Sequence, residues 1–142
     1  MHGRVTELVE QAGDEPARRL RAAGMGYLQF ALDRPVHYRL MFGADSPPTR
    51  GRPGLKQAYD EAYELFGREV AKVLGDNAAI RATVGQDLVA LMGWSLAHRL
   101  ASLLIDGRIE DVYPGAGPAA ELPAKLSAKI DELMALTGVP PR

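Results

Sequence analysis

His2, His37 and His98 are the only histidines in the chain, and cysteine is absent. No two of these imidazoles stand at a metal-ligand spacing, and no thiolate is present to join them, so a zinc site and a cysteine nucleophile are both excluded. Asp106, Glu110 and Asp111 are the best candidate carboxylate cluster. They flank a helix end without the ordered spacing of a calcium loop, which reads as surface. Ser95 and His98 lie three apart on one helix with no acid to orient them, a pattern of packing rather than of nucleophile and base. No phosphate-cradling glycine loop, dinucleotide fingerprint or serine elbow occurs. The expectation is a non-enzyme with no metal and no cofactor.

Trp94 and His98 differ in kind. They are four residues apart, hence on one helical face, in a stretch without charge between Asp87 and Arg99. Two readings of the pair stand: packed core, or the wall of a cavity where the indole stacks on a guest and His98 supplies a polar contact. Tyr27, Phe30, Tyr59, Tyr63 and Phe66 offer further aromatic faces, and Met41 an adaptable one. These residues with Trp94 and His98 form the candidate ligand-binding set, suited to a small apolar or aromatic molecule.

The elements that must hold them are helical. Alanine occurs 21 times and leucine 18 times, against nine valines and four isoleucines, a balance that favours helix over sheet. A length of 142 residues, 46% of them hydrophobic, fits one domain with its own core. Seventeen basic against 18 acidic side chains exclude a generally basic nucleic-acid binder. No run reaches the ~18 apolar residues of a membrane span and no signal-peptide core follows Met1, so a cytoplasmic, non-membrane protein is the expectation.

Periodicity predicts a short helix over Thr6–Ala12 and a second to about Leu32, capped by Asp14 and opened by Pro16. Leu20, Ala23, Tyr27, Leu28 and Ala31 form its buried stripe, while Arg18, Arg19 and Arg21 face water or nearby acids. Pro35 restarts the chain for the apolar segment Val36–Phe42. A helix over Leu55–Leu74 turns Leu55, Tyr59, Ala62, Tyr63, Phe66, Val70 and Val73 inward. The segment from about Ala78 to Ile105 is apolar nearly all round and must be covered on more than one side. A last helix runs from Pro123 to about Thr137 and is too short to stand alone, so it is expected to dock on that apolar helix. Two such helices from each of two chains would make a four-helix interface. Its candidate residues are Leu88, Met92, Gly93, Leu96, Ala97 and Leu100 on the first, and Leu126, Ile130, Leu133 and Met134 on the second. Residues 1–13 read as the remnant of a linking helix. Residues 14–142 read as a single all-helical ligand-binding and dimerisation domain, with loops near 43–54 and 107–122.

The order Tyr27-Leu28-Gln29-Phe30-Ala31, Pro35, Tyr38-Arg39-Leu40-Met41-Phe42 and Trp94-Ser95-Leu96-Ala97-His98 resembles the C-terminal regulatory domain of TetR-type transcriptional repressors. The resemblance is to the subgroup with a Trp-His-Gly motif and extends over roughly residues 16–109. Trp94 and His98 fill the first two motif positions, and Arg99 stands where the family has glycine, with Asp87 and Asp106 as its candidate partners. The resemblance implies an all-α regulatory bundle, a homodimer through the last two helices, and an effector cavity among the helices that carry Tyr27, Phe30, Tyr59, Tyr63, Phe66, Trp94 and His98. It also implies that operator DNA is read by a helix-turn-helix domain outside the regulatory pattern, so this chain by itself is not expected to bind operator. The alternative left open is a structural or interaction domain with a packed core and no effector. A small helical enzyme built on His98 and a neighbouring carboxylate is a more remote one.

Overall fold

The computed structural model describes residues 2–43, 53–75 and 85–136; the side chains of His2, Leu55, Ala58, Gln86, Ile130, Asp131 and 133–136 lie outside that description. The order is α1 His2–Gln11, α2 Pro16–Asp33, α3 Pro35–Phe42, α4 Pro53–Leu74, α5 Gln86–Ile105, a short α6 Ile109–Val112, a 3-10 turn Ala119–Glu121, and α7 Leu122–Leu136. No strand occurs among the described residues. The fold is an all-α bundle. Most of the expected 43–54 loop, the stretch from Ala78 to Val84, and Thr137 lie outside the described residues.

Helix α2 is the hub, packed against α1, α4 and α5. Its buried residues are Ala23, Gly26, Tyr27, Leu28 and Ala31, the stripe that the helical period places on one side. Its start differs from expectation by one residue. Glu15, not Asp14, is the N-cap, accepting from the backbone N–H of Ala17 at 2.9 Å and of Arg18 at 2.8 Å. The longer Glu side chain still reaches two of the first-turn donors that a helix leaves unpaired. At the other end Pro35 bars the helical conformation from Arg34, which sits at φ −135°, and α3 leaves at a new angle. Gly26 serves a close approach: a Cβ there would lie 3.1 Å from Leu8 Cδ1 and 3.3 Å from Val5 Cγ2, so α1 settles directly on α2.

Two cores result. One gathers Tyr27, Leu28, Ala31, Tyr38, Ala101, Leu104, Ala116 and Leu122. The other joins Val5 and Val9 of α1 to Ala23 and Leu65. Two valines of α1 are therefore part of the core.

Arg19 is the clasp on the second core. Its guanidinium meets the Glu69 carboxylate at 2.9 and 3.1 Å and donates to the carbonyls of Val9 and Gly13. Glu69 is 1% exposed. Burial pushes its carboxyl up, but hydrogen bonds and charge from Arg19 and Lys72 override that and hold it below the usual range. Among the three expected surface arginines of α2, Arg19 has found a buried acid.

On α5 the candidate interface residues divide between two faces. The small ridge of Gly93, Ala97 and Ala101 packs inside the protomer, with Ala101 fully buried, whereas Leu88, Leu91, Met92 and Leu96 are exposed. Small residues let α2 and α4 come close, and that closeness leaves the large side chains on the far face. Leu100 is half-buried against the first core. Helix α7 finds its intrachain support chiefly on α2 rather than along α5, and Leu126 is half-buried. The side chains of Ile130, Leu133 and Met134 are outside the described set. The expected absence of a span-like run also needs correcting. Residues Asp87–Ile105 have a mean hydropathy of 1.6 and are long and apolar enough to cross a membrane by length and composition.

Candidate effector cavity

Helix α3 brings Tyr38 and Phe42, one turn apart, over α2 and α5. Phe42 lies 5.0 Å from Tyr59 and 5.1 Å from the His98 ring, centroid to centroid. His98 is stacked on both sides. Trp94 lies at 5.2 Å with planes 24° apart, and Tyr38 at 5.5 Å with planes 25° apart. Its Nδ1 is 2.9 Å from the Tyr27 hydroxyl and 2.7 Å from that of Tyr38. Nδ1 has one position for a proton, so only one tyrosine donates to it at a time; Tyr38 has the His98 carbonyl, at 3.0 Å, as its alternative acceptor.

Burial pushes the Tyr27 hydroxyl far up, with the bond to Tyr38 adding to the shift, so it stays protonated. Burial pushes the His98 imidazole below its ordinary 6.5. Below pH 6.5 the unfolded chain takes up a proton that the folded imidazole refuses, so stability is full above that value and falls as pH drops toward the lowered pKa. Chemical denaturation across this window is expected to show that loss in the wild type and a flatter slope in His98→Gln. Equal slopes would mean that His98 titrates alike in both states.

A cavity of about 30 Å³ lies between α1, α2, α4 and α5, lined by Val5, Ala23, Tyr27, Ala62, Leu65, Phe66, Trp94 and Ala97. Three of the eight nominated ligand-binding residues therefore line it: Tyr27, Phe66 and Trp94. His98 stands behind Tyr27 and Trp94 in the aromatic cluster. Tyr59 donates its hydroxyl to the Met41 carbonyl, which ties α4 to the end of α3. Tyr63 is 37% exposed and donates to the Asp87 carbonyl at 3.1 Å. Phe30 packs on the first core, half-buried. Ala97, a candidate for the subunit contact, also lines the cavity.

Sequence reasoning left Val5, Leu65, Tyr38 and Phe42 out of the site. The signal for the last two was present in the four-residue spacing of aromatics within one apolar segment. Nothing in the sequence pointed to Val5, which sits on a helix whose partner cannot be read locally. Arg99 is exposed. Asp106, one of its two expected partners, is instead held by Arg39 at 3.1 Å, and the same guanidinium donates to the Ile105 carbonyl at 2.8 Å.

Among the described residues no group of three or more His, Cys, Asp or Glu side chains could hold a metal ion. The chemistry on offer is an apolar chamber with a neutral hydrogen-bonded network at its back. No curated protein and no solved structure matches the chain. A family profile does, described as "Tetracyclin repressor-like, C-terminal domain", over residues 20–124. That span runs from Leu20 within α2 through α5 to the start of α7 and holds every residue of the Tyr27–Tyr38–His98 network, and being well over half of the sequence it makes this chain a member of the tetracyclin repressor-like C-terminal domain family, whose members are regulatory domains and not enzymes.

Proposed function

We propose that the chain is the effector-sensing and dimerising domain of a cytoplasmic transcription regulator, acting on a helix-turn-helix reader joined to it, with a small apolar or aromatic molecule as effector. The observation that carries this reading is the apolar cavity beside Trp94, walled by four helices including α1.

At about 30 Å³ the cavity is far smaller than the ~150 Å³ that admits benzene in an engineered core. A ring-sized guest must therefore push its walls apart. That gives the ligand different affinities for the closed and opened packings, the condition for it to shift a population. Helix α1 is the wall most able to transmit the change, because Val5 borders the guest while Arg19 hooks the other end of α1, at Val9 and Gly13, to α4. Pivoting about that clasp would change the angle at which a reader domain is presented.

Dimerisation is proposed through the exposed α5 face of Leu88, Leu91, Met92 and Leu96. A second copy is favoured over a bilayer because α5 is held on its other face by α2 and α4, and a span must be apolar on every side that meets lipid.

Trp94 is the chain's single tryptophan, so its emission reports the cavity directly. Titration with neutral aromatic compounds is expected to give a saturable emission change for some of them, accompanied by thermal stabilisation. In a protein carrying the reader domain, the same compounds should alter operator affinity. A panel that leaves both the emission and the melting temperature unmoved would favour the packed interaction domain.

A further inference from the structure

A Cβ at Gly93 would lie 3.0 Å from Phe66 Cε1 and 3.1 Å from Phe66 Cζ. The Phe66 ring is thus seated in a notch that exists only because α5 carries no side chain there, and the same ring borders the cavity. From this we infer that Gly93 is the specificity-determining position of the site. By seating Phe66 it sets the size of the chamber and restricts it to compact, uncharged ring molecules. The inference rests on reading the cavity as the effector site, and it moves Gly93 from the subunit contact into the machinery of recognition.

The steric step is direct. Carbon atoms attract best at 3.5–4.0 Å, so a methyl at position 93 obliges the ring to give by a few tenths of an ångström. The cavity is the empty space beside the ring, and in a chamber this small such a retreat takes away much of what a guest needs. Ala23, Ala62 and Ala97 keep the remaining walls low, so Phe66 is the large side chain whose placement Gly93 controls.

The restriction on charge comes from the lining. All eight side chains are neutral, and the Tyr27 hydroxyl is already engaged with Tyr38 and His98. The buried Glu69 is already paired with Arg19 and Lys72, and Arg19 with Glu69 and the carbonyls of Val9 and Gly13. A carboxylate or ammonium entering the chamber would lose its water with no countercharge in return.

The experiment uses toluene as the neutral probe and benzoate as its charged counterpart, followed by Trp94 emission and by the methyl resonances of Val5 and Leu65. Wild type is expected to respond saturably to toluene and not to benzoate. Gly93→Ala is expected to bind toluene at least about tenfold more weakly, the scale of a methylene-sized misfit in an apolar pocket. Phe66→Leu in the Gly93→Ala background is expected to restore binding, which a merely destabilised fold would not do. Sedimentation of Gly93→Ala should match wild type. Undiminished toluene binding by Gly93→Ala, equal binding of benzoate, failure of the double variant to recover, or dissociation of Gly93→Ala into monomers would each overturn the inference while leaving a cavity that binds ligand. A wild type silent to both probes would overturn it together with the effector reading.

Discussion

Replacing Arg19 by methionine is expected to lower the unfolding free energy by about 3 kcal/mol, the low end of the cost of stranding one member of a buried ion pair. Glu69 is the member left behind, with its side chain 2% exposed. Lys72 at 2.9 Å still meets it, but that lysine is about half exposed and pairs along the same helix, so it offsets only part of the loss. Arg19 also carries the hydrogen bonds to Val9 and Gly13, and with them the attachment of α1. The pH dependence identifies the cause. In the wild type the depressed Glu69 carboxyl contributes stability that is full above its ordinary 4.5 and is lost as pH falls through the lowered value. With Arg19 gone, burial is less opposed and the carboxyl moves up, so acid partly relieves the variant and narrows its gap from wild type. Adding Glu69→Leu to Arg19→Met should recover much of the stability at neutral pH, since two apolar groups leave no charge stranded. Urea denaturation of the three proteins checks this; an unchanged midpoint in Arg19→Met would remove the clasp from the account of α1.

Much of this architecture was legible because the helical period is a local property. Ala23, Tyr27, Leu28 and Ala31 follow from spacing alone, as do the breaks at Pro16 and Pro35. Glu69 was not legible. It lies fifty residues from Arg19 and looks like any acid on an amphipathic helix, so only the docking of α4 on α2 reveals it. Leu65 was missed and Tyr63 and Val73 were placed inward for a related reason: the stripe on α4 is broad, and the exact rotation is fixed by α2, not by the pattern. The face of α5 was ambiguous in a deeper sense. A helix apolar nearly all round carries no moment to orient it, and its small and large residues both suggest contact. The fold resolves this by approach distance, closing α2 and α4 over Gly93, Ala97 and Ala101. The pair Trp94–His98 was read correctly as neighbours on one face, yet the choice between core and cavity required α1, because Val5 closes the chamber from a segment read as a linker.

Leu96→Glu is expected to convert the proposed dimer to monomer, weakening association by about 100-fold or more, as truncating or charging a central apolar anchor does. The side chain is 74% exposed within the protomer, so the substitution leaves the folded chain itself within about 0.5 kcal/mol of wild type. That separates it from a change at Ala101 or Leu104, which would act through the core. Leu88, Met92 and Leu96 succeed one another at four-residue steps with Leu91 beside them, and a row of this kind stays wet in a lone protomer at a cost that a second α5 removes. Sedimentation velocity over a concentration series reads the result directly. A variant that remains as dimeric as wild type would place the second copy elsewhere. Dimerising through α5 would also give the ligand a second route of action, because the opposite face of that helix carries Trp94 and Ala97 into the cavity. A guest that pushes on Trp94 then pushes on the subunit contact, so the loss of dimer in Leu96→Glu should be accompanied by a changed ligand affinity even though Leu96 is not among the residues lining the cavity.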